Sequence, residues 1–262
     1  MKMPAALPVD IRLMHAVTSL LWLLTVLGCL GAAAWWLLRL PVFALERISV
    51  EGEVTRNNAL TLKTNVIPKL QGNFFTLDLA QARQAFEAVP WVRAVVVHRE
   101  FPSRLRVQLQ EQQPVALWGE EGSSTLLNQQ GQVFEANLGE VEADALPRLK
   151  GPASQSQQVL DMYQTLRPVL QGADMDMDEL ELSPRGSWKI VTSQGVTIEL
   201  GRGQPETLTT LLQDFLRTLP QITSRYGRTP KSLVAADLRH KDGYALRLQG
   251  VTTTEGDPRK KP

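Results

Sequence analysis

The sequence predicts an α+β protein: a single N-terminal transmembrane helix, a small βααββ domain, and then a mainly antiparallel β domain with flanking helices. Three observations carry that expectation. An uncharged apolar run lies near the start, apolar residues recur at helical spacing in several later segments, and short alternating runs are separated by Gly, Pro and Asn turns. The 262 residues leave room for two ordinary domains. Hydrophobic content of 43% and charged content of 21% are those of a folding chain. A formal charge of +1 gives no electrostatic basis for binding nucleic acid.

The apolar run is Ala16 to Leu38, 23 residues without a charge. As a helix it would span roughly 34 Å, enough for a bilayer core with slight tilt. Trp22, Trp35 and Trp36 suit the interface, where indoles concentrate. A cleaved signal peptide is the rival, with Ala32-Ala33-Ala34 as the small-residue site. However, the run continues through Trp35-Trp36-Leu37-Leu38 beyond that site. Gly28-Cys29 could suggest a lipidated cysteine, but Leu27 fits poorly before it. An uncleaved signal anchor is expected, with residues 1–15 as a short tail. The positive-inside bias of Lys2 and Arg12 leans towards a cytoplasmic tail and an exported body. Three of the 28 basic residues and one of the 27 acidic ones precede Leu40, so the body is near −1. Cys29, the only cysteine, lies within the run, so the body has neither disulfide nor thiol chemistry.

A βααββ order follows over residues 45–113. Ile48 to Val50 reads as a strand, and Asn57 to Val66 as a helix stopped by Pro68. A clearer helix starts after Asp78, a suitable cap, with Leu79, Ala82, Ala85, Phe86 and Val89 on one stripe and Pro90 closing it. Then come two strands joined by a Phe101-Pro102-Ser103 turn. On the first, Val92, Ala94 and Val96 alternate with Arg93, Val95 and Val97. On the second, Leu105, Val107 and Leu109 alternate with Arg104, Arg106, Gln108 and Gln110, giving an apolar face and a wet one.

The second region, 114–250, opens with two short strands around Asn128-Gln129-Gln130-Gly131, and "ALPRLKGPAS" reads as a loop. A helix carries Val159, Met162, Tyr163, Leu166 and Leu170. Strands follow at Leu180–Leu182, Ser187–Thr192 and Val196–Leu200. "GQPETLTTLLQDFLRTLP" is the strongest helix, with Pro205 in its first turn and Leu208, Leu211, Leu212, Phe215, Leu216 and Leu219 in its stripe. Leu233–Leu238 and Tyr244–Leu248 form a final hairpin around Lys241-Asp242-Gly243. Residues 251–262 are a polar, flexible tail.

Catalytic and metal chemistry find little support. His15, His98 and His240 share no ligand spacing, and there is no nucleophile elbow or phosphate loop. Gly201-Arg202-Gly203 is too short to imply a nucleotide. "DMDMDEL" starts like a calcium loop at Asp174, Asp176 and Asp178. It then has Glu179 where the sharp turn needs Gly, and Arg185 where a bidentate acid is needed. No carboxylate pair stands out for glycan cleavage. Neither a cofactor nor an enzymatic activity is expected. What remains is interaction chemistry. The last strand reads as a sheet edge with Tyr244, Leu246 and Leu248 on one side and Ala245 and Arg247 on the other. Such an edge either receives a partner strand or is an ordinary hairpin with Tyr244 and Leu246 in the core.

The anchor followed by "FALERISVEG", "FFTLDL" and "VPWVRAVVVHREFPSRLRVQLQEQQPVALW" resembles the FtsQ/DivIB family of bacterial cell-division proteins. "LLNQQGQVF", "LPRLKGP", "SWKI", "IELGRG" and "DLRHKDGYAL" continue the resemblance in order, over almost the whole chain. The resemblance implies that the first unit is a POTRA domain and the second the family's β domain. It implies a single-pass type II protein of the inner membrane, with a periplasmic body at the division septum. It further implies a non-enzymatic scaffold that recruits FtsB and FtsL, FtsB pairing with the last strand, and that contacts other septal membrane proteins through the POTRA domain. The partner surface would then fall on Arg239, His240, Lys241, Gly243, Tyr244, Ala245, Leu246, Arg247 and Leu248, with Arg185 a further basic contact. His240 and Leu248 stand where the family often has aromatic residues. A POTRA-containing polypeptide-handling factor and a membrane-anchored cell-wall enzyme are the alternatives.

Overall fold

In the computed structural model the described residues are 9–52, 59–240 and 243–251. The apolar run lies inside a longer helix, α1 (Val9–Leu38). Its Leu13–Leu38 portion has a mean hydropathy of 2.0 with none of it buried against protein, long and apolar enough to cross a membrane. The chain divides into two compact units, Met1–Glu111 and Gln112–Pro262.

In the first unit β1 (Arg47–Gly52), α2 (Ala59–Val66), α3 (Leu79–Glu87), β2 (Val92–Glu100) and β3 (Arg104–Glu111) follow in the expected order. β3 is central, parallel to β1 and antiparallel to β2. Asp78 caps α3, its carboxylate accepting from the amides of Ala80 and Gln81. Ala82, Ala85 and Phe86 of α3 pack with Leu62 and Val66 of α2 against Leu105, Val107 and Leu109 of β3. The Asn57 start expected for the second helix lies outside the described residues.

One expectation in this unit is corrected. On β2 the buried residues are Val92 and Val95, whereas Val96 is 50% exposed. The register slips between Val92 and Ala94, a bulge that turns the following side chains to the opposite face. Trp91 just before it has a φ of 71°, an uncommon conformation for a residue with a side chain. Strict alternation from Val92 onwards therefore assigns the strand's middle to the wrong side.

The second unit is one nine-stranded sheet, mostly antiparallel. Its strands are β4 (Pro114–Trp118), β5 (Thr125–Asn128), β6 (Val133–Glu135), β7 (Arg148–Lys150), β8 (Met177–Leu182), β9 (Trp188–Thr192), β10 (Thr197–Gly201), β11 (Leu233–Asp237) and β12 (Ala245–Leu248). They lie in the order β12-β11-β10-β9-β8-β7-β4-β5-β6. Helices α4 (Ser156–Gln171) and α5 (Pro205–Arg225) touch one another and pack on the sheet. Leu166 and Leu170 of α4 and Leu212 and Phe215 of α5 share a core with Leu149, Leu180, Ile190 and Ile198.

Two expectations change here. Residues 148–150, read as loop, form the sheet's connecting strand, with Leu149 fully buried. The helix expected to stop at Pro220 runs on to Arg225, with Pro220 in its interior. Thr223 is fully buried and donates its hydroxyl to the Leu219 carbonyl, so packing holds this last stretch helical.

The β2 bulge makes a direct prediction. Val95→Ala removes two buried methyl groups and should cost about 1–3 kcal/mol. Val96→Ala should change stability by no more than about 0.5 kcal/mol. Denaturant unfolding of the two variants checks the assignment; equal losses would contradict it.

Candidate partner-binding edge

β12 is the outermost strand at one end of the nine-stranded sheet. It pairs antiparallel with β11 through Leu233 and Leu248, Ala235 and Arg247, Ala236 and Leu246, and Asp237 and Ala245. Period-two geometry then divides its side chains. Leu248 is buried and Leu246 half-buried, while Ala245 and Arg247 point to solvent.

Tyr244 fixes the start of the strand. Its ring meets Phe215 of α5 edge to face at 5.2 Å, and its hydroxyl shares a hydrogen bond with that of Thr218. The apolar faces of β12 and α5 border a groove of about 450 Å³, which also takes in Ile222 and the exposed Tyr226. Sequence reading missed both of these residues because it ended the helix at Pro220.

Arg239 sits just beyond β11. Its guanidinium donates to both oxygens of Asp237, at 2.8 and 2.6 Å, and its amide donates to the same carboxylate at 3.0 Å. These hydrogen bonds, with the opposite charge, hold the Asp237 carboxyl down at about 2. Gly201 gives the stem of Arg239 room, since a Cβ there would lie 2.9 Å from the arginine Cγ. With φ at +81°, the position also favours glycine for its backbone.

Arg185 stands exposed on the turn between β8 and β9, which the Ser183 hydroxyl braces by accepting from the Ser187 amide. Strand directions bring this turn to the same end of the sheet as Arg239 and the start of β12, because Gly201 pairs with Trp188 and Glu199 lies beside Asp237. Arg202, also exposed, follows Gly201 at that end. It is a basic neighbour that spacing alone, read as a weak phosphate motif, did not single out. His240 and Gly243 are exposed, and Lys241 lies outside the described residues. Among the described residues no three His, Cys, Asp or Glu side chains converge as a metal site. The acidic stretch after Asp174 instead runs into β8, with Met175 and Met177 buried.

Residues 43–112 match the family described as POTRA domain, FtsQ-type, and residues 116–239 match Cell division protein FtsQ/DivIB, C-terminal. A cell division protein FtsQ of Thiomonas arsenitoxydans is 43% identical over 250 residues, 95% of this chain and 91% of the relative. The chain belongs to the FtsQ/DivIB family. Relatives with the same printed name in Burkholderia pseudomallei and Bordetella pertussis are 35% and 36% identical over 254 and 257 residues. The alignments cover 96% and 91% of this chain and 99% and 92% of those relatives. Membership makes this a bacterial cell-division protein, with a POTRA domain after its apolar N-terminal helix. Among the described residues, β12 is the terminal strand of the second unit that has exposed basic residues at its end of the sheet.

The Asp237–Arg239 pair has a defined pH signature. A carboxyl depressed in the folded state adds stability above its unfolded pKa, and that contribution disappears as pH falls through about 2. An NMR titration should place the Asp237 midpoint near 2, and Arg239→Ala should raise it towards the ordinary carboxylate range. A midpoint that does not move in the variant would mean that the arginine is not the cause.

Proposed function

We propose that the chain is a non-enzymatic divisome scaffold whose β12 edge takes up a strand of FtsB, with FtsL held in the same complex. The observation that carries this reading is the terminal position of β12, with its solvent-facing Ala245 and Arg247. A strand added there gains backbone hydrogen bonds, while its alternate side chains meet Arg247 on one face and the groove beside α5 on the other. Arg185, Arg239, His240, Lys241, Gly243, Tyr244, Leu246 and Leu248 complete the proposed surface.

The roles within it differ. Ala245 and Arg247 face the incoming strand's neighbours directly. Tyr244, Leu246 and Leu248 hold β12 on its own core, so they act by fixing the edge in place. Arg185 and Arg239 suit carboxylates on the partner, the second of them pre-oriented by Asp237. The domain limits fit the same reading: a tail over 1–15, a membrane helix over 16–38, POTRA over 45–113 and the β domain over 114–250. The Lys2 and Arg12 charges of the tail support a cytoplasmic N-terminus with a periplasmic body, and membership of a cell-division family supports a place at the septum.

A photoreactive residue at Ala245 of the full chain, expressed with FtsB and FtsL, should give an adduct whose mass identifies FtsB. Arg185→Glu and Arg239→Glu should each lower FtsB recovery by up to about fivefold, the range for exposed charge pairs. Restoration by charge reversal in FtsB would assign the partner carboxylate. No adduct from Ala245 in a folded, membrane-inserted chain would remove the strand-addition reading.

A further inference from the structure

Four phenylalanines gather within the first unit, between the end of α1 and the β2–β3 turn. Phe43 packs edge to face on Phe75 with centroids 4.9 Å apart, Phe75 on Phe74 at 5.1 Å, and Phe74 on Phe101 at 5.9 Å. Only Phe74 is buried. Phe75 is 44% exposed, and Phe101, at the tip of the β2–β3 turn, is 73% exposed. A soluble domain gains nothing by holding two large rings on one tip in water.

Hydrogen bonds tie this tip to the end of the membrane helix. Asn73 donates its side-chain amide to the Leu38 carbonyl at 2.5 Å, one of the last carbonyls of α1 that lack a partner within the helix. The other side-chain atom, Asn73 Oδ1, accepts from the amides of Phe75 and Thr76, both at 3.0 Å, which locks the loop. Phe74 donates its amide to the Phe43 carbonyl at 2.9 Å, and Glu46 donates its amide to the Ser103 carbonyl at 3.0 Å. The loop, the segment after α1 and the β2–β3 turn are thus one assembly at the end of the span. Trp35 and Trp36 lie in the last turn of α1, with the Arg39 guanidinium 3.9 Å over the Trp35 ring.

These contacts limit how far the tip can stand from the end of the lipid-facing helix. The polar zone of a bilayer is about 5–8 Å thick on each side. A loop bonded to the Leu38 carbonyl at the end of the spanning helix lies within reach of a layer that thick. We propose that Phe75 and Phe101 insert into the lipid headgroup zone, so that the POTRA unit rests on the bilayer by an aromatic tip. The occupant of this apolar patch is phospholipid, and the patch continues the surface that α1 already presents to lipid. Asn73 joins the tip to the end of α1 through its side-chain hydrogen bonds.

The test places p-benzoylphenylalanine, itself aromatic, at Phe101 of the full chain in phospholipid vesicles. The reference position is Gln110, exposed on the same strand pair about 20 Å from the turn. Illumination and mass spectrometry should give phospholipid adducts at Phe101 several-fold above those at Gln110. Equal yields at the two positions would overturn the proposal. So would a protein adduct replacing the lipid one at Phe101 in native membranes, which would make the tip a protein-docking surface. If the probe at Phe101 disturbs folding, the same comparison at Phe75 decides the matter, with a yield no higher than at Gln110 again overturning it.

Discussion

The second unit depends on a backbone hydrogen-bond ladder that narrows to three residues at β7. This strand joins the β4-β5-β6 group to β8 through β12, and it is parallel to both of its neighbours. Leu149 supplies the buried centre. Its two flanking residues pin the strand sideways. Arg148 donates its guanidinium to the carbonyls of Gly119 and Glu120, while Lys150 pairs with Glu179 at 3.0 Å and Glu120 at 3.3 Å. Burial pulls the Lys150 pKa down, but hydrogen bonds and charge from the two glutamates outweigh it and leave the ammonium form favoured. With β7 in place the open edges of this sheet, among the described residues, are β12 and β6. Without it, two internal edges would be exposed as well, and β12 would lose its distinction.

What sequence pattern revealed, and what it hid, follow from this. Long periodic elements were legible: α1 by its unbroken apolar run, α3 by the Asp78 cap and its stripe, and α5 by six apolar residues at helical spacing. The final hairpin was legible too, from alternation and a turn. β7 was hidden because Pro147, Gly151 and Pro152 flank it, and its strand state comes from two non-local parallel neighbours. The β2 bulge was hidden because four apolar residues follow Arg93 in a row, so either face could be read as the inner one. Tyr226 and Ile222 were hidden behind Pro220, whose helix-breaking tendency is overridden by the burial of Thr223. The site's backbone was therefore readable, while its groove and the neighbouring Arg202 needed the fold.

The two ends of the sheet are handled differently. β6 is three residues long and ends in an exposed glutamate, features that discourage pairing with another chain. β12 is scarcely longer, but it is anchored on the core by Tyr244 just before its start and Leu248 at its end. Its solvent side carries a single charge, Arg247, beside the small Ala245. A strand that is short, anchored at both ends and only lightly charged resists indiscriminate pairing yet leaves room for a chosen partner.

Magnitudes limit what the edge alone can do. A four-residue strand directs about half of its backbone groups outward, enough for about four hydrogen bonds. At about 0.5–1.5 kcal/mol net for each, the ladder contributes about 2–6 kcal/mol. Association costs about 4–15 kcal/mol in lost translation and rotation, before any ordering of a flexible partner. Backbone pairing along β12 can therefore set register and direction, but it cannot sustain a stable complex unaided. In the proposed complex the remainder would come from apolar burial in the groove beside α5, where Tyr226 is exposed and Ile222 half-buried, and from carboxylates meeting Arg185, Arg202 and Arg239. A partner suited to this surface presents a short strand flanked by an apolar segment and by acidic residues. A strand-forming peptide lacking those flanks would pair weakly, whatever its backbone geometry.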